Sequence, residues 1–289
     1  MSVIFYPNYI NNVGYDKTAE PSITTQGYTC SGGETTGPAY DLLDGRRTTV
    51  ITIDTNGEAT DFTVDFDLSA NITGADFCIV DNHNFLSASC YVILRYNVTS
   101  EVAPSAADSA SGPLGSQMTA LTLTGSPATV IVKPTDGCLL IRHSGQTENN
   151  WDLSILDWNS ANFAADVTMG EVFLGVSCTP SISPNINPTK SYRYGSTYSA
   201  AQGGQKYGFK KYGVRRGWRL SWDYLSSTDK INIETVFAVT EGMRYPFYID
   251  LGETSPPTLY LVRFNQESLE FQQKTVNAYG LTIDIEQEL

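Results

Sequence analysis

The sequence predicts a mainly β protein with one convincing helix, built as two β-domains in tandem. Three observations carry that expectation. Aromatics are plentiful (17 Tyr, 12 Phe, 4 Trp) while charged residues are only 17% of the chain, and β-branched and aromatic side chains suit a pleated, half-buried surface. Short segments with a period of two recur between turn residues, the pattern of half-buried strands. The charge is also split: residues 1–180 carry 6 Lys/Arg against 20 Asp/Glu, a net of −14, while residues 181–289 carry 12 against 11, a net of +1. That asymmetry points to two units with different surfaces, and 289 residues are enough for two cores.

The first domain is expected over 1–178. In "ATDFTVDFDL", Phe62, Val64, Phe66 and Leu68 fall on one face, with Thr63, Asp65 and Asp67 on the other. "ADFCIVDNHN", "SCYVILRYN", "MTALTLTG", "ATVIVKP", "GCLLIRHSG" and "GEVFLGVSC" continue the series at regular spacing, which reads as a sandwich or jelly roll. Residues 100–117 are small, polar and Pro/Gly-bearing and read as a long surface loop.

A break follows Cys178. Residues 179–204 have three prolines early and no apolar periodicity, and read as a linker or extended arm. The second domain is expected over 205–289. In "RRGWRLSWDYL", Trp218, Leu220 and Trp222 face one way and Arg219, Ser221 and Asp223 the other. A helix is expected over about 227–241. Ser227 or Thr228 can cap it, and Asp229 lies in its first turn, where negative charge is favourable. Ile233, Val236, Phe237 and Thr240 form its apolar stripe, and Gly242 is placed to end it in a left-handed conformation. Strands "RYPFYIDLG", "TLYLVRF" and "AYGLTIDIEQEL" close the chain.

Composition narrows the function classes. A net charge of −13 argues against the whole chain binding nucleic acid. No apolar run approaches membrane-spanning length. The N-terminus lacks the basic and apolar regions of a signal peptide. Five cysteines, with no CxxC pair, read as free core thiols of a protein made in a reducing compartment. The two histidines, His83 and His143, are 60 residues apart, and no HExxH, GxSxG or Walker A pattern occurs. No catalytic residue is assigned, and a non-enzymatic role is expected. Between Asn82 and Asn84, His83 reads as a strand-end turn histidine.

The run "DLLDGRRTTVITID … FTVDFDL … ADFCIVDNHNFLSASCYVILRYN … GCLLIRHSG … MGEVFLG" resembles a galactose-binding-like (discoidin-type) jelly roll over about residues 28–177. The resemblance implies a structural calcium where the Asp-Gly loop meets the last strand, with Asp44, Thr48 and Glu171 at the matching positions. Oxygen ligands of this kind suit calcium. The competing reading is an ordinary turn, with Arg46 and Arg47 neutralising Asp44. Residues 203–289, "GQKYGFKKYGVRRGWRLSWDYLSSTDKINIETVFAVTEGMRYPFYIDLG … TLYLVRF … YGLTIDIEQEL", resemble β-domains of phage minor tail and baseplate proteins. Distal tail proteins share this domain composition, although here the sandwich comes first.

From Val172 to Trp222 there is no acidic residue. Lys190, Arg193, Lys206, Lys210, Lys211, Arg215, Arg216 and Arg219 are interleaved there with Tyr192, Tyr194, Tyr198, Tyr207, Phe209 and Tyr212. A nucleic-acid groove, a solvated face and an assembly arm all fit such a stretch. The acidic first half would repel a polyanion, which favours assembly. Lys206, Lys210, Lys211, Arg215, Arg216 and Trp218 are the expected interface residues. The combined expectation is a virion protein of the phage tail, made in the host cytoplasm. It would form a homo-oligomeric ring through the C-terminal domain and contact other tail or baseplate proteins, without nucleic acid. The alternatives are a carbohydrate-binding adhesin for host-surface glycans and a glycan-processing enzyme.

Overall fold

The computed structural model describes residues 2–10, 22–25, 35–36, 42, 49–53, 62–88, 90–96, 121–123, 129–132, 137–157, 163–185, 189–254 and 258–288. The chain is mainly β, with large antiparallel sheets and, among the described residues, one α-helix. It divides into two compact units: Asn8–Ser177, and Met1–Pro7 together with Cys178–Leu289.

Among the described residues, the Asn8–Ser177 unit carries two sheets. The larger is built on two long strands, β5 (Phe62–His83) and β9 (Gly137–Asp157), paired antiparallel with several register shifts. β6 (Cys90–Tyr96) flanks β9 and leads to β8 (Thr129–Val132) and β7 (Leu121–Leu123). β11 (Val172–Gly175) and β2 (Ser22–Thr25) lie along β5. The smaller sheet is β10 (Val167–Met169), β4 (Ile51–Ile53) and β3 (Thr35–Thr36). Ile51, Ile53, Val167 and Met169 of the small sheet share one core with Val64, Leu68, Cys78, Val80, Val92, Trp151 and Leu153 of the large one. Period-two burial along β6, with Val92, Leu94 and Tyr96 inside, is what the sequence pattern predicts. The loop expected over 100–117 lies outside the described residues.

The other unit is one sheet covered by the helix. Its strand order is β1 (Ile4–Pro7), β14 (Phe247–Asp250), β15 (Leu259–Phe264), β17 (Ala278–Gln287), β13 (Lys206–Leu225) and β12 (Thr189–Ala200). β16 (Gln272–Thr275) pairs with β17 off this path. The helix α1 (Ser227–Val239) sends Ile233 and Val236 into a core with Phe5, Trp218, Leu220, Trp222, Phe247, Phe264 and Ile283. It begins on a capping box, but with Ser226 as the cap rather than Ser227 or Thr228: the Ser226 hydroxyl accepts from Asp229 N–H, and the Asp229 carboxylate accepts from Ser226 N–H. Past its end Gly242 takes φ +66, and its N–H reaches the Phe237 carbonyl at 2.8 Å.

Two domain boundaries expected from sequence need correction. Residues 1–7 belong with the C-terminal unit, not the N-terminal domain. β1 runs beside β14 with Phe5 opposite Ile249, and Phe5 also exchanges both backbone hydrogen bonds with Cys178 at 2.9 Å. The expected linker 179–204 is interrupted by a twelve-residue strand, β12, which pairs with β13 along its length. β12 gives only a weak period-two signal, tyrosines at 192, 194 and 198, and most of its described side chains are exposed.

Candidate assembly interface

β12 and β13 form a long hairpin, closed by a turn in which Gly204 N–H bonds the Ala201 carbonyl (2.9 Å) and Gly204 takes φ +82. Glycine suits this left-handed position. Paired residues share a face. On one face Lys190 pairs with Trp218, Tyr192 with Arg216 and Tyr194 with Val214. Trp218 is only 2% exposed and packs against Tyr260, with ring centroids 5.0 Å apart. Further out the same face loses its cover, and Tyr192 and Tyr194 are 55% and 71% exposed. The expected interface role of Trp218 is therefore corrected: it anchors the hairpin from inside the core.

The opposite face of the hairpin base is an ion-pair ladder. Arg193 pairs with Arg215 across the strands, and β17 places Glu286 opposite Gly217 and Asp284 opposite Arg219. Glu286 receives Arg193 at 3.0 Å and Arg215 at 3.7 Å, and Asp284 receives Arg219 through two bonds of 2.9 Å. On the Trp218 face, Lys190 bonds Glu253 at 2.8 Å, and this hydrogen bond raises its pKa. Arg216 lies over the Tyr260 ring, 5.5 Å from its centroid. So Arg215 and Arg216, both expected at the interface, are engaged within their own subunit.

The tip differs. Between Tyr194 and Ser196 the register jumps from Val214 to Lys210, so β13 carries two extra residues and the ladder is broken. Beyond the break Thr197 pairs with Phe209, Ser199 with Tyr207 and Ala200 with Lys206. Tyr207 and Phe209 are 52% and 58% exposed, and Lys206, Lys210 and Lys211 are exposed too. Lys210 and Lys211 have no ion-pair partner among the described residues. The tip is thus a ribbon of aromatic and cationic side chains beyond any core of its own. A two-stranded ribbon is marginal in water unless something packs on it.

The other sequence-derived sites resolve unequally. Of the expected calcium ligands, Asp44 and Thr48 lie outside the described residues. Glu171 is buried, and its carbonyl accepts Asp81 N–H at 2.9 Å. His83 is buried, stacks on Phe85 at 4.2 Å, and accepts Phe85 N–H on Nδ1 at 3.3 Å. Asn82 takes φ +52, while Asn84 bridges to the Asp166 carbonyl and Thr168 N–H, each at 2.8 Å. These are the contacts of a strand-end turn. His143 joins Tyr96 and Trp151 in a cluster of three rings, with centroids 6.1 and 5.4 Å from its own and those two 5.4 Å apart. Burial lowers its pKa, against the raising effect of its bond to the Ser144 carbonyl and of Asp76. Four cysteines are free among the described residues; burial pushes the Cys78 thiol up to about 12, and burial followed by Asp229 does the same for Cys178.

No family model, curated protein or solved structure matches this chain.

Proposed function

We propose that the protein is a non-enzymatic structural subunit of a homo-oligomeric assembly, of the kind that builds a phage tail, and that the β12–β13 tip is its docking element. One observation carries the assembly reading: exposed Tyr207 and Phe209 stand among exposed lysines on a ribbon that covers no core of its own. Tyr and Phe are among the residue types enriched at interface cores, and complementary charge, here from the lysines, sets register. The acidic first half of another copy, net −14 over residues 1–180, has the charge the tip lacks. Contact between a tip and a different patch is heterologous, the type that closes rings. The tail assignment draws on the resemblance of residues 203–289 to tail and baseplate β-domains. In the same proposal the Asn8–Ser177 unit is a galactose-binding-like jelly roll displayed outward; two sheets sharing one core support that assignment.

The test is charge reversal at the tip. Lys206→Glu, Lys210→Glu and Lys211→Glu together should lower the assembly mass by light scattering and leave the melting temperature unchanged. An unchanged mass overturns the docking role of the tip.

A further inference from the structure

Gly208 stands in the middle of the tip strand with no geometric need to be glycine. It pairs with Tyr198 in the ladder, its φ lies outside the left-handed region, and a Cβ there would meet no atom within 4 Å. Glycine inside a strand weakens it, through backbone entropy and the missing side chain. The neighbouring pairs are weak for a related reason. Ser196 faces Lys210, Thr197 faces Phe209, Ser199 faces Tyr207 and Ala200 faces Lys206. With Tyr198–Gly208, every registered pair beyond the break sets a small residue against a large one. Contacts between large side chains directly across the ladder, which stabilise a strand pair, are missing from all five.

The break also isolates these pairs. Between Tyr194–Val214 and Ser196–Lys210, β12 contributes one residue and β13 three. Trp218 in the core and the arginine pairs with Glu286 and Asp284 all lie on the base side of that point. We infer that the tip is a separate local folding unit, largely open in the free subunit and closed by docking, so that the stability of the ribbon sets the concentration at which subunits assemble. The inference rests on the docking role of the tip. A partner that binds only the closed ribbon has its affinity lowered by the fraction of ribbons that are closed. Side chains alternate along β13, so position 208 falls on the face opposite Tyr207 and Phe209. Gly208 therefore lowers the closed fraction without altering the aromatic surface.

Hydrogen exchange of the full chain, read by mass spectrometry, tests this. Among the described residues β12 pairs only with β13, so residues 189–194 and 197–200 are the same kind of edge strand and compare directly. At a concentration where light scattering gives the subunit mass, the amides of 197–200 should exchange by local opening and those of 189–194 only with global unfolding. In the assembly the difference should disappear. Gly208→Thr should slow exchange at 197–200 in the free subunit and lower the midpoint concentration of assembly by about two- to fivefold, the effect of a change in strand propensity. Equal protection of the two segments in the free subunit overturns the inference. So does a Gly208→Thr chain that assembles no more readily than wild type. The tip charge reversal separates this inference from the reading it rests on. Lost assembly together with a tip already protected in the free subunit keeps the docking role and overturns the local unit, whereas an unchanged mass removes the docking role itself.

Discussion

The base and the tip of the β12–β13 hairpin use the same residue types in opposite ways. At the base Arg193, Arg215 and Arg219 meet Glu286 and Asp284, and Trp218 is buried. At the tip Lys210 and Lys211 meet no carboxylate among the described residues, and Tyr207 and Phe209 are exposed. Composition alone makes the whole stretch look like one basic, aromatic arm. The difference lies in β17, which supplies acidic partners only as far along β13 as Gly217. Aromatic and cationic residues beside β17 hold the subunit together, and those at the tip beyond it stand exposed.

The strongest way to break this comparison is to truncate one aromatic from each region. Trp218→Ala should cost about 3–5 kcal/mol of unfolding free energy, the usual range for a large buried aromatic. Phe209→Ala should stay within about 0.5 kcal/mol, as exposed substitutions do. Urea denaturation of both variants measures this, and a comparable loss at Phe209 would place the tip inside a core.

The next effect sharpens the base through the helix that covers it. The Asp229 carboxylate accepts from Ser226 N–H and hydroxyl at 3.2 and 2.7 Å, and from Ser181 N–H and hydroxyl at 2.8 and 2.6 Å. Burial pushes its pKa up, but these hydrogen bonds outweigh burial and hold it below the ordinary value of 3.8. A depressed carboxylate stabilises the fold above its unfolded pKa, and that contribution is lost as pH falls through the folded pKa. Asp229→Asn should therefore cost about 1–2 kcal/mol at pH 7. The gap to wild type should narrow below about pH 4, the unfolded value. A gap that stays constant down to pH 2 would show that the charge is not what the serines stabilise.

How much was legible in the sequence follows from which signals are local. The alternation around Trp218, Leu220 and Trp222 is local, and those residues are buried as it predicts. The α1 stripe and the Asp229 first turn are local too; the cap is Ser226 rather than the expected Ser227 or Thr228, and the helix ends at Val239 rather than about 241, shifts of one or two residues that local pattern does not resolve. β1 in the C-terminal sheet was not legible, since its pairing with β14 spans over 240 residues and an apolar run carries no address. β12 was missed for another reason: its period-two signal is three tyrosines, Tyr192, Tyr194 and Tyr198, with no aliphatic residue larger than alanine to mark a buried face. The basic, aromatic stretch was half legible. The cations are close together in sequence, but which of them have a carboxylate opposite depends on the register with β17.

The smallest expected effect tests that register dependence directly. Arg219 and Asp284 face each other in a two-bond pair, with the arginine side chain 61% exposed and the aspartate 35%. Exposed pairs couple by about 0.2–1 kcal/mol, and salt screens them. A double-mutant cycle with Arg219→Ala and Asp284→Ala should give a coupling in that range at low salt that shrinks toward zero at 1 M. Pairing Lys211→Ala with Asp284→Ala should give no coupling at any salt, because the bulge and the end of β17 separate them in the ladder. A Lys211–Asp284 coupling equal to the Arg219–Asp284 one would mean that the carboxylates of β17 serve the tip as well, and the base and tip would then be one surface.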